Sequence, residues 1–435
     1  MTESNPRAIV PVAADVIERA RRHIAIRLLP FLFVLYIANY IDRTSVAYAA
    51  IGISRDLGFN DSVFGLASGI FFVSYVAMQI PGALLVERWS ARRMISATMI
   101  AWGLLTALTA LVRTPAQLYA ARLVLGVAEG GFFPGVVVYL SHWFIREDRA
   151  KATGNFMSAI PLSFVVGSPI AGMILGHRWF ALEGWRWLFI LEGMPAVVLG
   201  SLAFFYLPDL PSEATWLSGE SRQWIQHRLS EEAAVAAKKG SIMQALASRT
   251  VLMLAADCFL NYFAFYALVF WLPTMLKRWS GLSDANVGLL GAIPYVVLLV
   301  AMLFNGWHSD KTGERNWHCA VFDLIAAAGF LALIAEPHSI SLFVLALTMA
   351  TLGNAYLPAF WAMPTELLSE SAAAAAVGLI NGIGSIAGLA GPFLFGYLNT
   401  KTGSSTVGLI VLTVACVGAA IVIVLAPRAV RPPAD

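Results

Sequence analysis

Residues 208–248 read PDLPSEATWLSGESRQWIQHRLSEEAAVAAKKGSIMQALAS, the one long polar stretch in a chain otherwise built of apolar runs. Within it Trp216, Trp224, Ile225 and Leu229 sit among Glu, Arg, Gln and Lys, the pattern of a linker containing a short amphipathic helix. Runs of about 20 apolar residues cross about 30 Å of hydrocarbon at about 1.5 Å per residue. Twelve such runs are present, at 26–49, 62–85, 94–112, 116–140, 151–175, 187–207, 249–274, 285–306, 317–335, 339–363, 373–398 and 405–426. The polar stretch thus separates two halves of equal helix number, the layout of transporters built from two units around a midplane site. The expected organisation is a cytoplasmic segment 1–25, a six-helix bundle 26–207, the linker 208–248, a second six-helix bundle 249–427 and a tail 428–435. This is an all-α membrane protein with twelve transmembrane helices in two pseudo-symmetric bundles.

Composition agrees. The chain is 59% hydrophobic and 13% charged, with a mean hydropathy of +0.73, too apolar for a soluble globular protein. Its net charge of +3 gives no reason to expect nucleic acid, and the lipid bilayer is the implied partner. Residues 1–25 are polar, and the following run carries Asp42 and Arg43 with no small-residue cleavage pattern, so the first helix is read as uncleaved. Cys258, Cys319 and Cys416 have neither disulfide nor metal-ligand spacing. No phosphate-cradling Gly-Lys loop, metal-ligand cluster or Ser/His/Asp arrangement suggests an enzyme. With the N-terminus inside, twenty Lys and Arg fall on the cytoplasmic side and seven outside, which places both termini in the cytoplasm.

Charges inside the runs carry the functional signal. Asp42 and Arg43 lie in the first run, Arg122 and Glu129 in the fourth. A charged side chain at membrane depth costs at least about 2.5–3.5 kcal/mol, so these four face a wet cavity or one another. Seven residues bring Arg122 and Glu129 to one helix face, about 10 Å apart along the axis. Tyr40 shares the face of Arg43, whereas Asp42 is rotated about 100° from it. One helix can therefore present an anion clamp and a separate titratable group; the bland alternative is two structural ion pairs. Arg122 is the expected neighbour of both Glu129 and Asp42. In the seventh run Asp257 and Asn261, four residues apart, lie near Tyr262 and Tyr266, all candidates to line the cavity. His142, His177, His308 and His318 fall at loop ends and receive no role.

The loop after the eighth run reads Gly306-Trp307-His308-Ser309-Asp310-Lys311-Thr312-Gly313-Glu314-Arg315 and resembles the G-x-x-x-D-[RK]-x-G-x-[RK] loop of the major facilitator superfamily. The equivalent stretch after the second run, from Gly82 to Arg92, is degenerate, with Ala83, Glu87 and Ser90 at the key positions before Arg88 and Arg92. Asn39-Tyr40-Ile41-Asp42-Arg43-Thr44, the stretch Arg122 to Gly135, Phe156 to Pro161 and Gly184 to Gly193 resemble the anion:cation symporter family within that superfamily, most closely its bacterial carboxylate permeases. The resemblance implies the major facilitator fold. It also implies Tyr75 as a cavity position, Asn381 as a polar contact from the second half, and Glu87, Arg88, Asp310, Lys311 and Arg315 as loop residues that gate.

From residues and resemblance together, the expected function is proton-coupled uptake of a small organic anion by alternating access in the cell (inner) membrane. Hydroxy-dicarboxylates, sugar acids and aromatic carboxylates are the candidate substrates. Apolar Ile160, where sugar-acid carriers offer an amide, favours a compact or partly apolar acid. Arg43, Tyr40, Tyr75, Asn381 and Tyr266 are the expected substrate contacts, and Asp42, Glu129 and Arg122 the proton-coupling set. No cofactor beyond the coupling proton and no metal is implied, and a monomer is expected. The competing expectation is an exporter or antiporter of drugs or cations, in which unpaired acids would replace Arg43.

Overall fold

The computed structural model describes residues 14–236, 248–335, 337–368 and 370–428, without the side chains of residues 83, 87, 88, 150, 233–236, 365 and 370–375. Glu87 and Arg88 of the degenerate loop therefore lie outside the described side chains. The first half comprises α1 (Ala14–Leu57), α2 (Asp61–Arg88), α3 (Ala91–Thr109), α4 (Pro115–Glu129), α5 (Phe132–Trp143), α6 (Arg146–Met157), α7 (Ala159–Leu175) and α8 (Gly184–Tyr206). The linker forms α9 (Gly219–Ala236). The second half comprises α10 (Arg249–Ser280), α11 (Asp284–Thr312), α12 (Asn316–Ile334), α13 (Ile340–Thr351), α14 (Leu357–Leu367), α15 (Glu370–Thr402) and α16 (Thr406–Leu425). Eleven helical stretches among the described residues are long and apolar enough to cross a membrane. α3, packed along α8, completes the twelve.

Three runs expected as single helices are broken. α4 gives way to α5 at Gly130-Gly131, α6 to α7 at Ser158, and α13 to α14 through a 3-10 turn at Leu352–Tyr356. Pro134, Pro161 and Pro358 follow these breaks. Each lacks the amide that would bond the carbonyl four residues earlier, at Gly130, Met157 and Asn354, and each crowds that carbonyl. Hydropathy does not register this effect, so the runs looked continuous.

The helix of the polar linker is docked. Its Ile225 is buried, Trp216 stacks on Trp143 with ring centroids 5.7 Å apart, and Glu232 pairs with Arg149 at 3.3 Å. α1 extends back to Ala14, where Arg21 forks onto Asp148 at 2.7 and 2.5 Å. These contacts mark the face that carries the start of α1 and the linker, hereafter the terminal face.

The halves meet along α2 with α15, α7 with α11 and α1 with α10. Main chains touch there through glycine: a Cβ at Gly65 would lie 2.6 Å from the Pro392 carbonyl, and one at Gly288 would lie 2.4 Å from that of Ser168. Arg278 forks onto Asp61 at 2.6 and 2.5 Å across the same seam. All of these contacts lie toward the face opposite the termini. On the terminal side, Gly378 and Gly382 of α15 border open space, so the bundle is closed at the far face and cleft toward the terminal one.

Candidate functional site

The central cluster depends on how closely α4 approaches α2. At Gly126 a Cβ would stand 2.3 Å from the Phe71 carbonyl, so only glycine permits this approach. Ser74 then donates to the Leu123 carbonyl at 2.7 Å and ties the two helices. Phe71 and Tyr75 are thereby placed against α1. Arg43 of α1 crosses to Glu129 of α4: its Nε donates to Oε1 at 2.9 Å, and Nη2 donates to the same oxygen. Its guanidinium lies 4.6 Å from the ring centre of Tyr75 and 4.8 Å from that of Tyr40, distances at which a cation is attracted to the π face.

Phe71 stands between two cations, 5.4 Å from Arg43 and 4.8 Å from Arg122. Arg43 is 4% exposed, Arg122 1% and Glu129 0%, so the group is shielded from bulk water. The second oxygen of Glu129 and Nη2 of Arg122 have no hydrogen-bond partner. Contrary to the sequence expectation, the direct partner of Glu129 is Arg43 and not Arg122. Arg122 sits nearly two turns away along α4, and its Nε donates to the Ala67 carbonyl at 3.3 Å. Nor are there two ion pairs: Asp42 is fully buried and neither of its oxygens has a hydrogen-bond partner. As its helical phase requires, Asp42 turns away from the cleft, toward Thr106 of α3 and Glu192 of α8.

Glu192 escaped the sequence reading. It is 6% exposed, near Ser45 and Asp42. It lies in the Gly184 to Gly193 stretch, where a lone acid in an apolar run is its signal. Asp323 of α12, fully buried, was missed in the same way.

From the second half, Tyr266 meets Phe72 edge to face at 4.8 Å and lies within electrostatic reach of Arg43, Tyr40 and Tyr75. Asn381 is half-buried beside the open space at Gly378 and Gly382. Ser385 donates to its main-chain carbonyl, and the amide does not join the arginine cluster. Asp257 and Asn261 belong to a separate polar group on α10 behind the cleft. In the loop motif, Arg315 bonds Glu366 at 2.7 Å and Asp310 at 2.7 Å, joining α11 to α14. Lys311 stays outside this network, over the Trp307 ring at 5.3 Å. His308 and His318, given no role from sequence, form a hydrogen-bonded chain with Glu314, 2.7 Å at each step.

Such a buried mixture of arginines, acids and aromatic rings, reached from a cleft between two helical halves, suits binding and release of a small anion. The Major Facilitator Superfamily profile matches residues 32–317 and 276–435. A protein of Agrobacterium vitis named "Putative tartrate transporter" is 40% identical over 95% of this chain and 96% of its own. The "Quinolone resistance transporter" of Acinetobacter baumannii is 34% identical over 90% of this chain and 91% of its own. In three dimensions the fold matches a bacterial homologue of the human lysosomal transporter Spinster, in its inward-facing and unoccupied conformation. That match has a TM-score of 0.74 at 20% identity, covering 94% of this chain and 95% of that one. The chain belongs to the Major Facilitator Superfamily: it is a multi-pass membrane protein and a secondary transporter of a small molecule, not an enzyme.

Proposed function

We propose that this transporter takes up a small organic dianion, a hydroxy-dicarboxylate, together with protons. One observation carries the reading: Arg43 is buried in a cluster whose two arginines are balanced by two acids, Glu129 and Asp42, and it is already occupied by one of them. A guanidinium fork matches a carboxylate and stays charged at every accessible pH. A substrate carboxylate must therefore displace Glu129, and a proton on Glu129 makes that possible. Each proton taken by an acid leaves one arginine charge uncompensated, so two protons leave a site that matches a dicarboxylate. Arg122 holds the second charge, and Asp42 takes the second proton behind α1. Tyr40, Tyr75 and Tyr266 contribute hydroxyl and ring contacts. Asn381 grips the far end of the substrate once the cleft narrows. The tartrate transport named for the Agrobacterium relative supports the substrate class.

In this reading the chain works as a monomer in the inner membrane with both termini in the cytoplasm. The loops around Glu87, Arg88, Asp310, Lys311 and Arg315 act as gating links on that side. The test is uptake of labelled tartrate by proteoliposomes with and without an imposed proton gradient. Gradient-driven accumulation is expected, and equal uptake under both conditions refutes proton coupling. The quinolone-resistance name of the second relative favours a rival reading, drug efflux. Proton-driven movement of a quinolone, with no binding of any dicarboxylate, would select it.

A further inference from the structure

Behind the cleft, in the second half, lies a group of oxygens that the transport reading does not use. Asp257 of α10 and Asp323 of α12 are both fully buried. Asn261, one turn beyond Asp257, donates through Nδ2 to Asp323 Oδ1 at 2.7 Å and to the Gly353 carbonyl at 3.1 Å. Those two bonds fix the amide orientation and leave Asn261 Oδ1 without a donor. Both oxygens of Asp257, Asp323 Oδ2 and Asn354 Oδ1 also lack a partner. Every one of these is an acceptor; the buried hydroxyl of Tyr356, also without a partner, lies within electrostatic reach of both aspartates and can serve at most one of these oxygens as donor. The charged neighbour of Asp257 is Asp323, not a cation, and neither aspartate has an ion-pair partner among the described residues.

Two buried carboxylates cannot remain charged side by side without a compensating positive charge. The main chain supplies a second, independent indication. The helix is broken here: α13 ends at Thr351 and the 3-10 turn carries Gly353 and Asn354. A half-helix C-terminus and unwound carbonyls inside a membrane are the surroundings in which transporters hold small cations. A cavity of about 10 Å³ lies on the Asn261, Gly353 and Asn354 side of the group, walled otherwise by Ala264, Phe265, Ala326, Ala350 and Cys416 and not by the two aspartates, about the size of one small ion or one water. The donors are all hard oxygens, which suit an alkali cation and not a transition metal.

The geometry points to a sodium-sized cation site between α10, α12 and the α13–α14 break, with Asp257, Asp323, Asn261 and Asn354 as its oxygen donors. It is independent of the arginine site and of which substrate that site takes. The test uses the purified full-length chain: retention of radioactive sodium in equilibrium dialysis, and unfolding temperature in sodium chloride against choline chloride at equal ionic strength. Saturable retention of about one sodium per chain is expected, with a sodium-specific rise in unfolding temperature. Asp323→Asn, and separately Asn354→Ala in case the first does not fold, are expected to weaken sodium binding at least tenfold. No sodium retention by the wild-type chain overturns the site, leaving protons or a water to satisfy these oxygens. Undiminished retention in a folded variant overturns its location.

Discussion

Replacing Glu129 with glutamine separates the charge of that side chain from its shape. Oε1 of Glu129 takes two hydrogen bonds from Arg43, and the amide oxygen of glutamine can take both. Glutamine removes the counter-charge but keeps a bond to the charged guanidinium, so the loss is a part of the about 1.5–3 kcal/mol of such a bond, about 1 kcal/mol per bond and about 2 in all. Any anion that engages Arg43 must first displace this partner. Displacement is therefore easier by about 2 kcal/mol in the variant, an increase of about 30-fold in affinity. Under the proposed proton coupling, pH acts on wild-type affinity through this competition, and Glu129→Gln removes the Glu129 part of that dependence. Tartrate-dependent thermal stabilisation at acidic and alkaline pH reads both affinities. Gradient-driven uptake is lost in the variant, while exchange of substrate across the membrane persists. A variant that binds tartrate more weakly than wild type at alkaline pH, or that keeps the full pH dependence, refutes the competition.

Arg43→Lys removes the fork and is expected to lower tartrate affinity at least tenfold; a matched neutral amide that binds wild type as tightly as the acid does would equally remove the carboxylate clamp. Gly288→Ala places a Cβ 2.4 Å from the Ser168 carbonyl, so α7 and α11 cannot close at the far face. A cysteine replacing buried Tyr48, which stands beside Gly291, then becomes labelled by a membrane-impermeant thiol reagent added on that side, and an unlabelled cysteine with normal transport counts against the seam. Cysteines at the exposed positions Ser212 and Ser404 report orientation, with external labelling expected at 404 and not at 212. The reverse pattern inverts the topology.

Apolar runs and one polar interruption were enough to locate all twelve helices, because a membrane demands about 20 apolar residues per crossing. The breaks at Gly130-Gly131, Ser158 and Leu352–Tyr356 were not legible, since hydropathy is continuous across them and proline alone does not mark them: Pro30, Pro81, Pro273 and Pro392 lie inside unbroken helices. For the site, the cost of intramembrane charge singled out Asp42, Arg43, Arg122 and Glu129, and helical phase correctly turned Asp42 from Arg43. Which arginine holds Glu129 depends on how far α4 sinks toward α2 at Gly126, a tertiary fact with no periodic signature. Asp323 is also an acid in an apolar run, but unlike Asp42 it has no polar partner nearby in sequence, and its partner Asn261 lies 62 residues away.

The glycine seams at Gly65, Gly172, Gly288 and Gly396 bear on how this chain can vary. Where main chain meets main chain, no rotamer can swing aside to make room, so even a single added methyl acts on the position of a whole helix. Substitutions there are expected to change the balance between conformations while leaving the pocket chemistry intact. A lineage that needed to retune transport speed without altering its substrate would find its adjustable positions along these seams, not around Arg43.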